Sequence, residues 1–142
     1  MAEAGGRLLG LDLGERRIGV ALGDPTGLLA SALAVLPSRG RARDVAAVRE
    51  LAAREGAVAA VVGLPVNMDG SRGPQAEKSR RFGAALEAAG LSVVYWDERL
   101  TTVEAQRYLR DGGMSRRKRR ETIDAAAAAI LLQSYLDYRR NR

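Results

Sequence analysis

Two apolar segments on either side of a short polar turn constrain the fold of this chain more than any other feature. Residues 8–13 and 18–22 alternate large and small side chains, with the period of two that is typical of β-strands. We therefore predict a β-hairpin over residues 8–22. Asp12 falls on the small-residue side of the first strand, where an apolar neighbourhood makes an unpartnered carboxylate unfavourable. Two interpretations stay open: Asp12 binds a metal ion, or it accepts hydrogen bonds from the amides of its own turn.

The rest of the chain alternates strand and helix signals. Residues 28–36 predict a third strand that Pro37 ends. The apolar run 58–62 predicts a central parallel strand, and the run 91–96 predicts a further strand. Helices are predicted from a cap at Asp44 to Gly56, from Pro74 to Gly90, from a cap at Thr101 or Thr102, and over residues 123–138. Right-handed crossovers then give a five-stranded mixed sheet in the order 3-2-1-4-5, flanked by helices. This α/β arrangement is that of the ribonuclease H-like fold.

Length and composition limit the classes of function. The 142 residues predict a single domain over residues 1–142, with 139–142 as a frayed tail. We find neither an apolar run long enough to cross a membrane nor a leader pattern, so we expect a cytoplasmic protein with no membrane partner. The chain has no Cys and no His, which excludes thiol nucleophiles, Ser-His-Asp triads, disulfide frameworks and Cys/His zinc sites. Carboxylates with hard cations such as Mg²⁺ or Mn²⁺ remain.

The net charge of +6 favours a polyanionic partner such as nucleic acid. A compositional bias of the source genome toward arginine is the alternative explanation. Residues 107–120 hold seven basic residues against Asp111, a surplus equal to that of the whole chain. We expect part of this segment to bind the phosphate backbone without reading sequence, unless it is a solvated basic loop. The expected phosphate contacts are Arg116, Arg117, Lys118, Arg119 and Arg120.

Three separated acidic positions converge in this topology near the carboxyl ends of the parallel strands, where open α/β sheets bind ligands. They are Asp12 on the first strand, Asp97 or Glu98 just past the last strand, and Asp124 at the start of the last helix. Helical spacing directs Asp124 toward the sheet. An acid in a first helical turn also complements the helix dipole without any further role, and that alternative stays open.

Four segments resemble, in the same order, the signature blocks of the YqgF, or RuvX, family. They are GLDLGERRIGVA (10–21), GLPVNMDGS (63–71), DERLTT (97–102) and DAAAAAILLQSYL (124–136). The family is similar to RuvC-type Holliday-junction resolvases and belongs to the ribonuclease H-like nucleases. Its members are described as Holliday-junction resolvases, acting in DNA recombination and repair, and as nucleases in ribosome biogenesis that mature the 5′ end of pre-16S rRNA.

The resemblance implies a metal-dependent nuclease whose catalytic and metal-binding residues are Asp12, Glu98 and Asp124, with Glu98 favoured over Asp97. Mg²⁺ or Mn²⁺ is the implied cofactor, with two ions once substrate is bound. Ala127 and Ala128 lie where RuvC relatives hold a further acid, so we expect the second ion to bind weakly.

Further contacts with nucleic acid are expected in the hairpin turn, in the loop after the fourth strand and just past the fifth. The residues are Arg16, Arg17, Asn67, Ser71, Arg72 and Arg99. A lid without direct contacts is the alternative for the loop. The substrate stays open between branched DNA, which favours a homodimer, and precursor rRNA, which needs one site. A non-catalytic RNA-binding or ribosome-assembly factor on the same fold is the alternative function.

Overall fold

The computed structural model describes residues 6–67, 69–100 and 123–141, with the side chains of residues 123 and 124 outside the description. The centre of the fold is a five-stranded sheet in the order β3-β2-β1-β4-β5, which confirms the predicted ribonuclease H-like order. Its strands are β1 (Arg7–Leu13), β2 (Arg17–Gly23), β3 (Ala30–Pro37), β4 (Ala57–Leu64) and β5 (Ser92–Asp97). The described helices are α1 (Arg41–Glu55), α2 (Pro74–Ala88) and α3 (Ile123–Arg140), and a 3-10 turn, Glu98–Leu100, follows β5.

Strand β1 is central because its two edges take different kinds of partner. It is antiparallel to β2, as the short turn between them requires, and parallel to β4, which the chain reaches through the crossover helix α1. Beside β4, β5 continues the parallel half, and beside β2, β3 continues the antiparallel half. The carboxyl ends of β1, β4 and β5 therefore lie at the same edge of the sheet.

The two faces of the sheet pack against different helices. Leu9 and Leu11 of β1 are fully buried in a cluster with apolar residues of α1 and α2. On the other face, Leu8 belongs to a cluster with Leu132 and Leu136 of α3. Because side chains alternate along a strand, Asp12 lies on the face that α3 covers.

Gly10 allows α3 to approach β1 closely. A Cβ atom added at Gly10 would lie 2.8 Å from the Cβ atom of Leu132 and 3.0 Å from the carbonyl oxygen of Ala128. Neither atom is at the end of a flexible side chain, so an added methyl group would force the helix itself to move. The small-residue side of the hairpin is therefore a packing surface for α3.

We expect Gly10→Ala to lower the free energy of unfolding by about 1–3 kcal/mol, the usual effect of overpacking a well-filled core. Urea denaturation measures this change as a lower midpoint with an unchanged m-value. Gly23→Ala, at the end of β2, is the matched control, because its added Cβ atom would meet nothing closer than 3.5 Å. An equal loss of stability in the two variants would contradict the packing role of Gly10.

The structure corrects the prediction that Asp44 caps α1. The helix begins earlier, at Arg41, after Gly40 in the N-cap position. The carboxylate of Asp44 instead reaches back to accept hydrogen bonds from the Ser38 hydroxyl at 2.6 Å and the Arg39 backbone N–H at 2.8 Å. An acidic side chain in the first turn of a helix can accept hydrogen bonds from the residues before the helix as readily as from the backbone amides of the helix. The sequence pattern does not separate these two roles.

The last helix is longer than the pattern predicts. Arg139 and Arg140, expected to be frayed, are helical, and Arg140 forms an ion pair with Asp137. The helix predicted to begin at Thr101 or Thr102 lies outside the described residues. Within the part of the chain that the structure describes, no helix is long and apolar enough to cross a membrane.

Candidate active site

Asp12 lies near the carboxyl end of β1 between two glycines. It pairs with Gly19 on β2. On the other side, the last β1–β4 pair is Leu11 with Val62, so the residue of β4 beside Asp12 is Gly63. Adjacent strands are about 4.8 Å apart. The partly exposed Asp12 side chain is therefore flanked on the α3 face by two residues that have no side chain of their own.

Glu98 extends over the gap at Gly63 from the 3-10 turn that follows β5. A Cβ atom added at Gly63 would lie 2.7 Å from the Oε2 atom of Glu98. Ser134 of α3 fixes this turn, because its hydroxyl accepts a hydrogen bond from Trp96 Nε1 and donates one of 2.7 Å to the carbonyl oxygen of Leu100. Gly63 and Ser134 thus set where the Glu98 carboxylate lies.

The surroundings of Glu98 oppose its ionisation. Burial, reinforced by the negative charges of Asp12 and Asp97, raises the pKa of the Glu98 carboxyl group to about 7. Asp12 and Glu98 are therefore close enough to interact electrostatically, although the first comes from the central strand and the second from the turn after the edge strand. A cation between these two carboxylates would relieve their repulsion.

In the absence of divalent cations, Glu98→Gln is expected to raise the melting temperature by a few degrees at pH 8 and to leave it unchanged near pH 4.5. A carboxyl group whose pKa is raised by folding destabilises the protein progressively between its ordinary pKa of 4.5 and about 7, and fully above that range. Thermal melts in EDTA at several pH values measure the difference. The control is Glu50→Gln on the exposed side of α1, and a pH-independent effect of Glu98→Gln would contradict the prediction.

Asp97, the other acid at the end of β5, is held by a different partner. Its Oδ2 atom forms an ion pair of 2.7 Å with Nη2 of Arg99, and its Oδ1 atom accepts a hydrogen bond from the Arg99 backbone N–H. These hydrogen bonds from Arg99 hold the pKa of Asp97 below its usual value. Asp97 is therefore the charge partner of Arg99, and Glu98 is the acid that lies near Gly63 and Asp12.

Arg99 also ties the loop between β4 and α2 to this edge of the sheet. Its Nη1 atom donates a hydrogen bond of 3.2 Å to the carbonyl oxygen of Asn67. Inside the loop, the Asn67 side chain donates to the Ser71 hydroxyl, and the carboxylate of Asp69 accepts from the backbone N–H and hydroxyl of Ser71. Asn67, Ser71 and Arg99 thus shape and anchor the loop, and their contact with nucleic acid stays a prediction.

The start of α3 lies at the same end of the sheet as Asp12. Leu136, near the end of α3, packs in one cluster with Leu8 at the start of β1, so the helix runs back toward the carboxyl end of that strand. Asp124 is the second residue of α3. Its side chain is outside the described part, and its approach to Asp12 and Glu98 stays a prediction.

The other predicted contacts with nucleic acid divide into two groups. Arg16 in the β1–β2 turn, Arg17 at the start of β2 and Arg72 in the loop are exposed. The basic run 116–120 lies outside the described residues. The structure therefore brings the turn, the loop and the two described acids to one edge of the sheet.

Asp12 and Glu98 have the chemistry that a hard divalent cation requires. Among the described residues, no group of three or more Asp, Glu, His or Cys is placed to hold a metal ion. The two described acids supply oxygen ligands, which Mg²⁺ and Mn²⁺ prefer. This donor set fits such an ion, with Asp124 as the candidate for the third carboxylate.

Comparison with known proteins assigns the family. The model of the RuvX family, described as Holliday junction resolvase, matches residues 6–138. The chain belongs to the RuvX family. A protein of Moorella thermoacetica named as a candidate pre-16S rRNA nuclease is 52% identical over 132 residues, which are 92% of this chain and 94% of that protein. A protein of Clostridioides difficile with the same name is 42% identical over 137 residues, 96% of this chain and 97% of that protein. The predicted family is thus confirmed.

Solved structures of resolvases share the fold of this RuvX protein. RuvC of T. thermophilus in complex with a Holliday junction substrate has a TM-score of 0.60 at 16% identity, over 95% of this chain and 95% of that chain. The fowlpox virus Holliday junction resolvase has a TM-score of 0.55 at 14% identity, over 93% of this chain and 98% of that chain. These similarities show the fold alone. The family and the names of its relatives support a nuclease.

Sequence reasoning missed two residues that position the site. Gly63 lies near the end of the buried apolar strand β4, and Ser134 interrupts the buried apolar stripe of α3. The signal for Gly63 is a glycine at the strand end where ligands bind. The signal for Ser134 is a buried hydroxyl group on an apolar helix face.

Proposed function

We propose that this RuvX protein is a divalent-metal-dependent endonuclease that hydrolyses phosphodiester bonds in precursor 16S rRNA. The observation that carries the proposal is the position of Glu98 near Asp12, over the gap at Gly63, at the carboxyl end of the parallel strands. The names of the relatives support RNA as the substrate. Asp124 is the proposed third carboxylate.

In this proposal, Asp12, Glu98 and Asp124 hold Mg²⁺ or Mn²⁺, which when bound stabilises charge on the phosphodiester and lowers the pKa of an attacking water. Asp12 fixes the position of the site on the central strand. Glu98 closes the site from the β5 side, and the hydrogen bond from Ser134 to Leu100 keeps its turn in place. Arg16, Arg17, Arg72 and the basic run 116–120 bind the phosphates on either side of the cleaved bond.

The cytoplasm, as the compartment of precursor rRNA, is the proposed site of action. Trimming one end of an rRNA needs a single active site, so a monomer is sufficient for this function. A homodimer with two sites is the form that suits a four-way DNA junction, for which the description of the family supplies the second candidate substrate.

The proposal is tested by incubating the purified protein and Mg²⁺ or Mn²⁺ with a pre-16S rRNA fragment, a four-way DNA junction and a linear DNA duplex. We expect cleavage of the rRNA fragment in preference to both DNAs, and no cleavage in EDTA. Preferential cleavage of the junction would instead favour branched DNA as the substrate. A thermal melt that does not respond to either cation, together with no cleavage of any substrate, would refute the metal-dependent nuclease.

A further inference from the structure

A cavity of about 240 Å³ opens on the face of the sheet opposite Asp12, between the β1–β2 turn, α1 and α2. Apolar side chains form its inner wall, among them Leu13, Ile18 and the buried ring of Phe82. Its rim is polar and carries the exposed cations Arg41, at the start of α1, and Lys78, in α2.

The rim has a net positive charge, because the two cations Arg41 and Lys78 lie beside a single acid, Asp44. Asp44 lines the cavity, but its carboxylate accepts hydrogen bonds from the Ser38 hydroxyl and the Arg39 backbone N–H. Within the described residues, neither Arg41 nor Lys78 forms an ion pair with a carboxylate. Lys78 donates one hydrogen bond, of 3.1 Å, to the carbonyl oxygen of Gly14, which keeps its ammonium group beside the turn.

The segments around the cavity also carry an excess of positive charge. The segments 14–17, 38–44 and 74–78, which surround it, hold six basic residues against the three acids Glu15, Asp44 and Glu77. This surplus is half of the net charge of +6 of the whole chain. The surplus of these segments is separate in sequence from the basic run 116–120.

The cavity is close to the site that holds Asp12. Leu13, which lines the cavity, directly follows Asp12, and the two side chains lie on opposite faces of β1. Packed layers are separated by about 10 Å, so a single RNA strand that passes from one face of the sheet to the other crosses only a short distance. An RNA strand that bends around the β1–β2 turn therefore reaches the cavity a few nucleotides from the cleaved bond.

We propose that this cationic face, centred on Arg41 and Lys78 beside the cavity, is a second contact surface for the phosphate backbone of the substrate RNA. The partner is identified by its chemistry, a polyanion facing cations that form no ion pair with any described residue, and the inference rests on the proposed function for the identity of that polyanion. The surface adds affinity and directs the strand around the hairpin turn, whereas Asp12 and Glu98 lie on the other face. Contacts of this kind bind any RNA sequence equally.

The test measures RNA binding in an Asp12→Asn background, so that cleavage does not interfere. Anisotropy of a fluorescent RNA stem-loop with a 5′ extension gives the Kd at several salt concentrations. With Arg41→Gln and Lys78→Gln added together, we expect the Kd at 0.1 M salt to rise about tenfold or more and the salt slope to fall by about 1.4–1.8, the loss of two phosphate contacts. Arg54→Gln with Arg140→Gln removes the same charge from exposed side chains away from the cavity and should leave the slope unchanged.

The amide signals of Gly14 and Gly40, which both line the cavity, supply a second measurement by ¹⁵N NMR. Both signals should shift on addition of the RNA. An unchanged salt slope in the Arg41/Lys78 variant, an equal fall in the control, or an unmoved Gly40 signal would overturn the surface and leave the proposed nuclease intact. A slope change seen only with a four-way DNA junction would overturn RNA as its occupant. Absence of RNA binding by the Asp12→Asn parent would instead overturn the proposed RNA substrate together with the surface.

Discussion

Asp12→Asn is expected to reduce the cleavage rate by at least about a thousandfold, equivalent to roughly 4 kcal/mol of lost transition-state stabilisation. The amide matches the carboxylate in size but carries no charge, so it is a poor ligand for a hard cation. The variant should fold, because the amide keeps the size of the carboxylate and removes its repulsion with Glu98. RNA binding should persist, since the substitution removes a negative charge near the phosphates.

Three measurements on the same preparations check this prediction: the cleavage rate, the RNA affinity and the melting temperature with and without Mg²⁺. The variant should lose cleavage and the cation-induced rise in melting temperature, and it should keep its affinity for RNA. Glu87→Gln, on the exposed side of α2, is the matched control and should behave as the wild type in all three.

The same variant separates a nuclease from a non-catalytic ribosome-assembly factor. A cell that carries Asp12→Asn in place of the wild-type protein should accumulate 16S rRNA with an unprocessed 5′ end if the protein is a nuclease. Normal rRNA maturation in that cell would contradict the proposed activity and favour the assembly factor. The distinction does not depend on the choice of substrate in the test tube.

The strand order was predictable because every step of it is local. The short turn at residues 14–17 forces β1 and β2 to be antiparallel, and the apolar run of β4 identifies a strand covered on both faces. Crossover connections of one hand then place β4 beside β1 and β5 beside β4. That order alone brings Asp12 and the end of β5 to one edge of the sheet. The proximity of the two described acids of the site was therefore predictable from the sequence.

The choice between Asp97 and Glu98, and the importance of Gly63, depend on details that the pattern does not contain. Alternation along β5 allows one of the two acids to face the site, but the 3-10 turn and the Arg99 ion pair decide which one it is. Gly63 lies under Glu98 only because Leu64 pairs with Asp97 in the parallel register. A shift of one residue would place the carboxylate on the other face of the sheet.

Gly63→Ala is expected to reduce cleavage by about a hundredfold and to change the free energy of unfolding by less than about 1 kcal/mol. The added Cβ atom would lie 2.7 Å from Glu98 Oε2 and 3.1 Å from Leu131 Cδ2. Both atoms are at the ends of flexible side chains, so they move aside at small energetic cost. The displaced carboxylate then lies away from Asp12, and a shift of about 1 Å at a catalytic group is enough for the expected loss.

Gly83→Ala on α2 is the contrasting variant, because its Cβ atom would meet the ring of Tyr95 on the other face of the sheet. A rigid ring does not move aside as a carboxylate does, so this variant should lose stability and keep its cleavage rate per folded molecule. The opposite responses of two Gly→Ala changes would assign the effect of Gly63 to the site and not to packing.

We expect Gly63 to affect the cleavage rate only through the position of the Glu98 carboxylate, and a double-mutant cycle tests this expectation. Glu98→Ala removes the carboxylate that the added methyl group would displace, so Gly63→Ala should cause no further loss of cleavage in that background. An additional hundredfold loss would mean that the methyl group obstructs the substrate or the cation directly. In the expected case, the glycine is a positioning residue that keeps an acid on the edge strand within reach of an acid on the central strand.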